Sequence, residues 1–334
     1  MSNWLSRPDD VDALVARWRA EHPDLLTVES RRQYTGRDVW ALTVTGPGVG
    51  ESRSGVLCFK PHAHEPAPIA AQMNVLCQLL TGRTLAGDPT SLPRDQWLAE
   101  AVICFLPDAN PTGTAAAPVE AWDGSQYTNE EFWTWMRGVD PDTGLMWKRV
   151  DLWDDTREEN LPLRCGIVYE QVSEHEYVEP NRHHRSTLMG WLRELRARRH
   201  WDRMLDLHQT EFVGSTHNAM VILPTLYNDQ PEPLRVIEQR WAEALIAAWN
   251  DVPGARPIPE FAPLGYTGQE RQYFVNTFGD IYADTAILTS EVQNNSLLTP
   301  PPVQQQLCEA AIVATLTDVL SARARVAPDS GAVL

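Results

Sequence analysis

Two imidazoles and a carboxylate crowd the segment Lys60-Pro-His-Ala-His-Glu-Pro66, directly after the apolar run Gly55-Val-Leu-Cys-Phe59. These residue types bind metals. In open α/β sheets the reactive crevice lies beyond the carboxyl ends of the strands, so side chains on this turn would project into it. Pro66 and the spacing of Ile69, Met73, Leu76 and Leu80 predict a helix that begins here, which lets His62 and Glu65, three residues apart, turn toward one ion. A catalytic zinc takes three protein ligands and leaves one position open, so a distant third ligand is required. The best candidate is His208. It ends another strand-like run, Arg203-Met-Leu-Asp-Leu-His208, and the polar residues Gln209, Thr210 and Glu211 follow.

Two further features suit hydrolytic chemistry. Glu291 is the single acid of a third strand-like run, Ala286-Ile-Leu-Thr-Ser-Glu-Val292. A carboxylate beside a metal-bound water acts as general base, then passes the proton to a leaving amine. Asn181 and Arg182 pair an amide with a guanidinium, a combination that grips a carboxylate through a bidentate fork.

The elements that must position these groups follow from periodicity. Strands are expected at about 25–30, 38–45, 55–60, 101–106, 203–207, 219–223 and 285–291, and helices at about 9–21, 66–81, 187–199, 232–250 and 302–325. Leu234, Ile237, Trp241, Leu245 and Trp249 mark the helix from 232 most clearly. The alternation predicts an α/β fold, a mixed and mostly parallel twisted sheet with helices on both faces. No long linker or repeat divides the chain. One catalytic domain over 1–326 is expected, with 327–334 a flexible tail.

In this order along the chain, the motifs resemble those of the zinc carboxypeptidase family, peptidase family M14. The entry segment from Ala20 to Val28 and the run Tyr34 to Val44 look like that family's first elements. His62 and Glu65 match its His-x-x-Glu ligands, and His208 its third ligand. Leu106-Pro-Asp-Ala-Asn-Pro-Thr-Gly113 looks like the family's Asn-Pro-Asp-Gly motif with Thr112 in place of the acid. Glu179-Pro-Asn-Arg182 looks like Asp-x-Asn-Arg. The resemblance implies that Asn181 and Arg182 bind a terminal carboxylate and that Glu179, one methylene longer than the family's Asp, orients the first ligating His. Glu291 falls where the catalytic Glu belongs. For the Arg that stabilises the oxyanion the nearest candidate is Arg137; for the Tyr that closes over substrate, Tyr273 before Gly279-Asp280 fits best, with Tyr266 as fallback.

Composition narrows the setting. With 334 residues, 43% of them hydrophobic, the chain can bury a substantial core, and no run approaches the ~20 apolar residues that span a bilayer. A net charge of −17 disfavours nucleic acid and anionic membranes as partners. The N-terminus lacks the architecture of a signal peptide, and the five cysteines suggest no disulfide framework, so a cytoplasmic location is expected. His64 forms a His-x-His pair with His62 but is left without a role, as are His183, His184 and His217. The stretch 115–179 breaks the regular alternation. It carries Trp122, Trp133, Trp135, Trp147 and Trp153 among many acids. It reads as an insertion: a surface subdomain with its own small core, a lid over the cleft, or both.

The reading is a zinc metallocarboxypeptidase with one Zn²⁺ per chain. It releases a C-terminal amino acid from a small peptide through a zinc-activated water, with Glu291 as general acid/base. One alternative is an N-acyl amino acid deacylase of the aspartoacylase/succinylglutamate desuccinylase type, whose third-ligand segment Asp206-Leu-His-Gln-Thr210 resembles. The other is a zinc-containing binding module without turnover, which would have no need of Glu291.

Overall fold

The computed structural model describes residues 3–48, 53–139, 144, 146, 149–157 and 165–326. The expected tail, 327–334, and Trp147 lie outside the described residues. In chain order the elements are α1 (Pro8–Glu21), β1 (Leu26–Arg32), β2 (Asp38–Val44), β3 (Ser54–Phe59), α2 (Pro66–Thr81), α3 (Arg94–Glu100), β4 (Ala101–Leu106), α4 (Pro111–Ala116), α5 (Asn129–Arg137), β5 (Leu152–Asp154), β6 (Glu170–Gln171), β7 (Glu176–Val178), α6 (Thr187–Arg198), β8 (Arg203–Thr210), β9 (Ala219–Leu223), α7 (Glu232–Asn250), β10 (Ala262–Pro263), α8 (Gly268–Tyr282), β11 (Ile287–Gln293) and α9 (Pro301–Val326).

Eight strands form one sheet in the order β1-β2-β4-β3-β8-β11-β9-β10. Its centre, β4-β3-β8-β11, is parallel, whereas β1, β2 and the β11–β9 pair run antiparallel. Parallel strands are covered on both faces, which is why β3 and β4 read as unbroken apolar runs and are buried at every residue. On one face α1, α2, α7 and α9 bury Trp18, Leu76, Trp241 and Leu316; on the other, α6 and α8 bury Leu192, Trp191, Phe278 and Ile281.

Every strand and helix expected from periodicity is present. Among the elements not expected, α8 matters most for the site. Its Thr and β-branched residues and its two glycines give it modest helix propensity. An aromatic ladder overrides this: Phe274, Phe278 and Tyr282 stack at i,i+4, with centroids 6.4 and 5.8 Å apart.

The segment 115–179 supplies α5 and the small antiparallel sheet β5-β7-β6. Trp122 and Phe132 pack with Ala63 and Ile167, while Trp153 packs with Met136, Val168 and Tyr169. The Asn-Pro turn after β4 clasps this layer. Asn110 donates from Nδ2 to the carbonyls of Ile167 (3.1 Å) and Tyr169 (3.0 Å) and caps α4 by accepting from the Gly113 N–H. Position 113 must be glycine, because a Cβ there would lie 2.3 Å from the Ile167 carbonyl and 2.7 Å from the Ala63 side chain, next to His62. Among the described residues no helix is long and apolar enough to cross a membrane.

One buried acid ties α7 to the sheet. Glu238 accepts from the Ile287 N–H (3.0 Å) and from Gln230 (3.1 Å), and burial pushes its carboxyl up to about 7. Between its ordinary value of 4.5 and about 7 the folded chain keeps a proton that the unfolded chain has lost, so stability falls as pH rises through that window. In urea titrations at pH 5 and 7.5, Glu238→Gln should shrink the stability difference by roughly 2 kcal/mol, from ~1.4 kcal/mol per pH unit. An unchanged difference would mean that Glu238 titrates normally.

Candidate metal centre and substrate pocket

The turn that carries His62 is held from below. Lys60, fully buried, donates from Nζ to Asp108 Oδ1 (2.8 Å), and its carbonyl accepts from the Ala109 N–H (3.0 Å), so the turns after β3 and β4 are locked together. Glu65 occupies the N-cap of α2 with Pro66 behind it. The Ala67 N–H donates to Gln209 Oε1 (2.8 Å), drawing this helix start to the end of β8. There, β8 and β11 lie side by side in parallel with His208 opposite Glu291.

These elements bring three donors to one point. Nδ1 of His62 lies 2.9 Å from Glu65 Oε1, and Nδ1 of His208 lies 3.1 Å from the same oxygen. All three side chains are buried, and their ligand atoms lie within 4.8 Å of one another. The donor set fits a divalent metal for two reasons. Glu65 Oε2 is buried with no hydrogen-bond partner among the described residues, and each imidazole turns its other nitrogen to a carboxylate: His62 Nε2 lies 3.2 Å from Glu179 Oε1, and His208 Nε2 lies 2.9 Å from Asp206 Oδ1. Such pairs fix the tautomer in which Nδ1 offers its lone pair. Burial opposes the charge of Glu65, but His208 and His62 outweigh it and hold the carboxyl well below the usual range.

Glu179 is the hub of the opposite wall. It contacts His62, takes an ion pair from Arg182 Nε (3.1 Å) and accepts from Arg149 through both oxygens, at 3.2 Å from Nε and by a shorter bond from Nη2. Burial opposes its charge, and Arg149 and Arg182 overcome that opposition, so it stays ionised. Two guanidinium groups share this one carboxylate, which leaves a positive charge to spare. Arg182 Nη1 is buried and has no hydrogen-bond partner among the described residues. Asn181 Oδ1 lies 3.1 Å from His62 Nε2.

These groups line a cavity of about 160 Å³, well beyond the ~10–15 Å³ that one water needs. Glu291 lies on the cavity wall with Oε2 buried and without a hydrogen-bond partner among the described residues, and burial pushes its carboxyl up to about 8. Arg137 reaches the same cavity from the end of α5; burial and then neighbouring Arg149 lower its pKa. Of the two tyrosines, Tyr266 lines the cavity. Tyr273 sits on α8 with its ring 5.9 Å from the Arg182 guanidinium, backing that residue without lining the cavity itself. His64 stacks on His62 and meets Phe132 edge-on, and burial holds it neutral. His183 and His184 stack on each other outside the cavity, and His217 faces the carbonyls of Arg256 and Pro257.

The sequence reading did not single out two residues that the fold brings here, Arg149 and Asp206. Asp206 had a signal: two residues before His208 on a strand, it must share that residue's face. Arg149 had none, because its place depends on how 115–179 packs.

No family model matches the chain, and no curated protein matches it in sequence. Solved structures match it in shape. A metallo-carboxypeptidase from Burkholderia cenocepacia superimposes over 94% of this chain and 69% of its own, with 16% identity and a TM-score of 0.58. Carboxypeptidase A from Helicoverpa armigera covers 97% of this chain and 75% of its own at 16% identity and a TM-score of 0.57. Bovine thrombin-activatable fibrinolysis inhibitor, solved in complex with a tick carboxypeptidase inhibitor, covers 97% and 99% at 12% identity and a TM-score of 0.55. The fold of this chain is that of the metallo-carboxypeptidases.

Proposed function

We propose that this protein is a zinc-dependent amide hydrolase that releases a C-terminal amino acid from a short peptide. The observation that carries this reading is the convergence on one cavity of the His62, Glu65 and His208 donors, the unpaired Glu291 Oε2 and the unpaired Arg182 Nη1. His62, Glu65 and His208 would hold one zinc per chain, which when bound would supply Lewis acidity for polarising a carbonyl and acidifying water. Glu291 takes the proton of the attacking water and returns it to the leaving amine. Arg137 meets the carbonyl oxygen as charge develops on it. Asn181 and Arg182 hold the free carboxylate of the residue to be released and so orient the amide, with Tyr266 closing that side and Tyr273 backing Arg182.

An N-acyl amino acid offers the same amide and the same free carboxylate, and 115–179 narrows the cavity through Met136, Arg137 and Arg149. Comparing the two substrate classes decides between peptidase and deacylase.

The carboxylate clamp is tested with a matched substrate pair, free acid and C-terminal amide, on wild type and Arg182→Ala. A charged pair that loses one member costs roughly 2–5 kcal/mol. The variant should lose ~100-fold or more on the acid and hardly distinguish acid from amide. A coupling energy near zero in this cycle would place the clamp elsewhere, or mean that internal bonds are cleaved.

A further inference from the structure

Five acids line the cavity: Glu65, Glu179, Asp206, Glu211 and Glu291. Four have a partner or a role. Glu65 faces the two imidazoles, Glu179 holds Arg149 and Arg182, Asp206 faces His208, and Glu291 stands beside that residue as the proposed base. Glu211 has neither. Its Oε2 accepts from the neighbouring Thr210 hydroxyl (3.0 Å), but among the described residues Oε1 has no hydrogen bond and no lysine or arginine forms an ion pair with the side chain.

The backbone that carries Glu211 is fixed from two sides. Its carbonyl accepts from Gln293 Nε2 (3.4 Å), and the Thr210 carbonyl accepts from the Asn294 N–H (2.8 Å). Asn294 also donates from Nδ2 to the His64 carbonyl (3.2 Å), so the exits of β8 and β11 are tied to the turn that carries His62 and Glu65. A carboxylate on such a wall is preorganised, and binding a cation there requires little reordering of the chain. Beyond the dominant effect of burial, the charge of Glu211 raises the pKa of both Arg137 and Glu291, so it stands near the groups that would meet the amide. Arg182, by contrast, lies against Tyr273 and Phe274 of α8. A ligand with its carboxylate at Arg182 and its amide at the metal donors directs its acyl side toward Arg137 and Glu211. In a dipeptide the α-ammonium lies there, on a Cα only about 3.8 Å from that of the released residue. Met136 and Arg137 of the insertion line the same cavity, which suits a ligand that ends at this point.

We propose that Glu211 binds the free α-ammonium of the substrate, so that the cavity takes a zwitterionic dipeptide with its carboxylate at Arg182 and its ammonium at Glu211. The proposal rests on the hydrolase reading for the word "substrate" but not for the binding site itself. Calorimetry on zinc-loaded Glu291→Gln, in which the ligand should survive the titration, compares alanyl-X with propionyl-X, the same skeleton without the amine. Taking leucine, lysine and glutamate in turn as X makes the comparison independent of the side chain released. Alanyl-X should bind tighter by roughly 10-fold, the lower range for a charged hydrogen bond and the one that suits a half-buried carboxylate. Adding Glu211→Gln keeps the size of the side chain and an oxygen for the Thr210 hydroxyl, so zinc content should hold while the ratio falls to about one. No binding by either member of any pair, equal binding within every pair, or a ratio unchanged by Glu211→Gln overturns the proposal. Amine-dependent binding without release of X by the wild-type protein would refute the hydrolase reading and leave this site standing. Release of X from propionyl-X as fast as from alanyl-X would do the reverse.

Discussion

Glu291→Gln is expected to fold and to bind zinc like wild type, yet to lose turnover by ~10²–10⁴-fold, the usual contribution of a positioned general base. The amide keeps the size and polarity of the side chain, and Glu291 is not among the metal donors, so only proton transfer is removed. The pH profile gives a second readout. As general base Glu291 would have to be ionised, so activity should rise with pH through the carboxyl's pKa. Burial pushes that pKa up to about 8, and a divalent cation bound beside it would pull it lower. The acidic limb of kcat/KM should therefore have its midpoint below 8 and vanish in the variant. Near-wild-type turnover in Glu291→Gln would remove Glu291 from the mechanism.

The second large effect is on metal content. Elemental analysis should find about one zinc per chain in wild type and only a small fraction in His62→Ala and His208→Ala, since a three-donor set reduced to two loses most of its affinity. Glu65 would then lose one of the imidazoles that outweigh its burial. Full occupancy in both variants would place the metal elsewhere. Glu179→Gln should fall between these limits, because it removes the charge that faces His62 Nε2 and leaves Arg149 and Arg182 without their shared partner.

How much of this was legible before the fold was known depended on the range of the interaction. His62 and His208 stand at the exits of apolar strand-like runs and Glu65 at the start of the following helix, which suggested a common address, while their grouping as one ligand set came from the resemblance to the zinc carboxypeptidases. Glu291 was legible for the same reason, as a single acid in an apolar run that proves to lie beside β8. Asp206 was within reach of the same rule, yet its role as the partner of His208 Nε2 depends on a contact that spacing does not fix. The choice between Tyr266 and Tyr273 turned on α8, where aromatic packing prevailed over residue propensity. That helix sets Tyr273 behind Arg182, and Tyr266, just before it, lines the cavity. Arg149 was out of reach altogether. Its ion pair with Glu179 spans 30 residues of a segment whose small sheet and aromatic clusters have no simple period.

As a carboxypeptidase, the zinc-loaded protein would cut the last amide bond of a substrate with a free carboxylate. Mass spectrometry after incubation with a mixture of short peptides and N-acyl amino acids tests it directly. Peptides shortened by one residue at the C-terminus are expected, with one new primary amine for each bond cut, and no reaction in Glu291→Gln. No new amine from any substrate, or cleavage only at internal bonds, would contradict it.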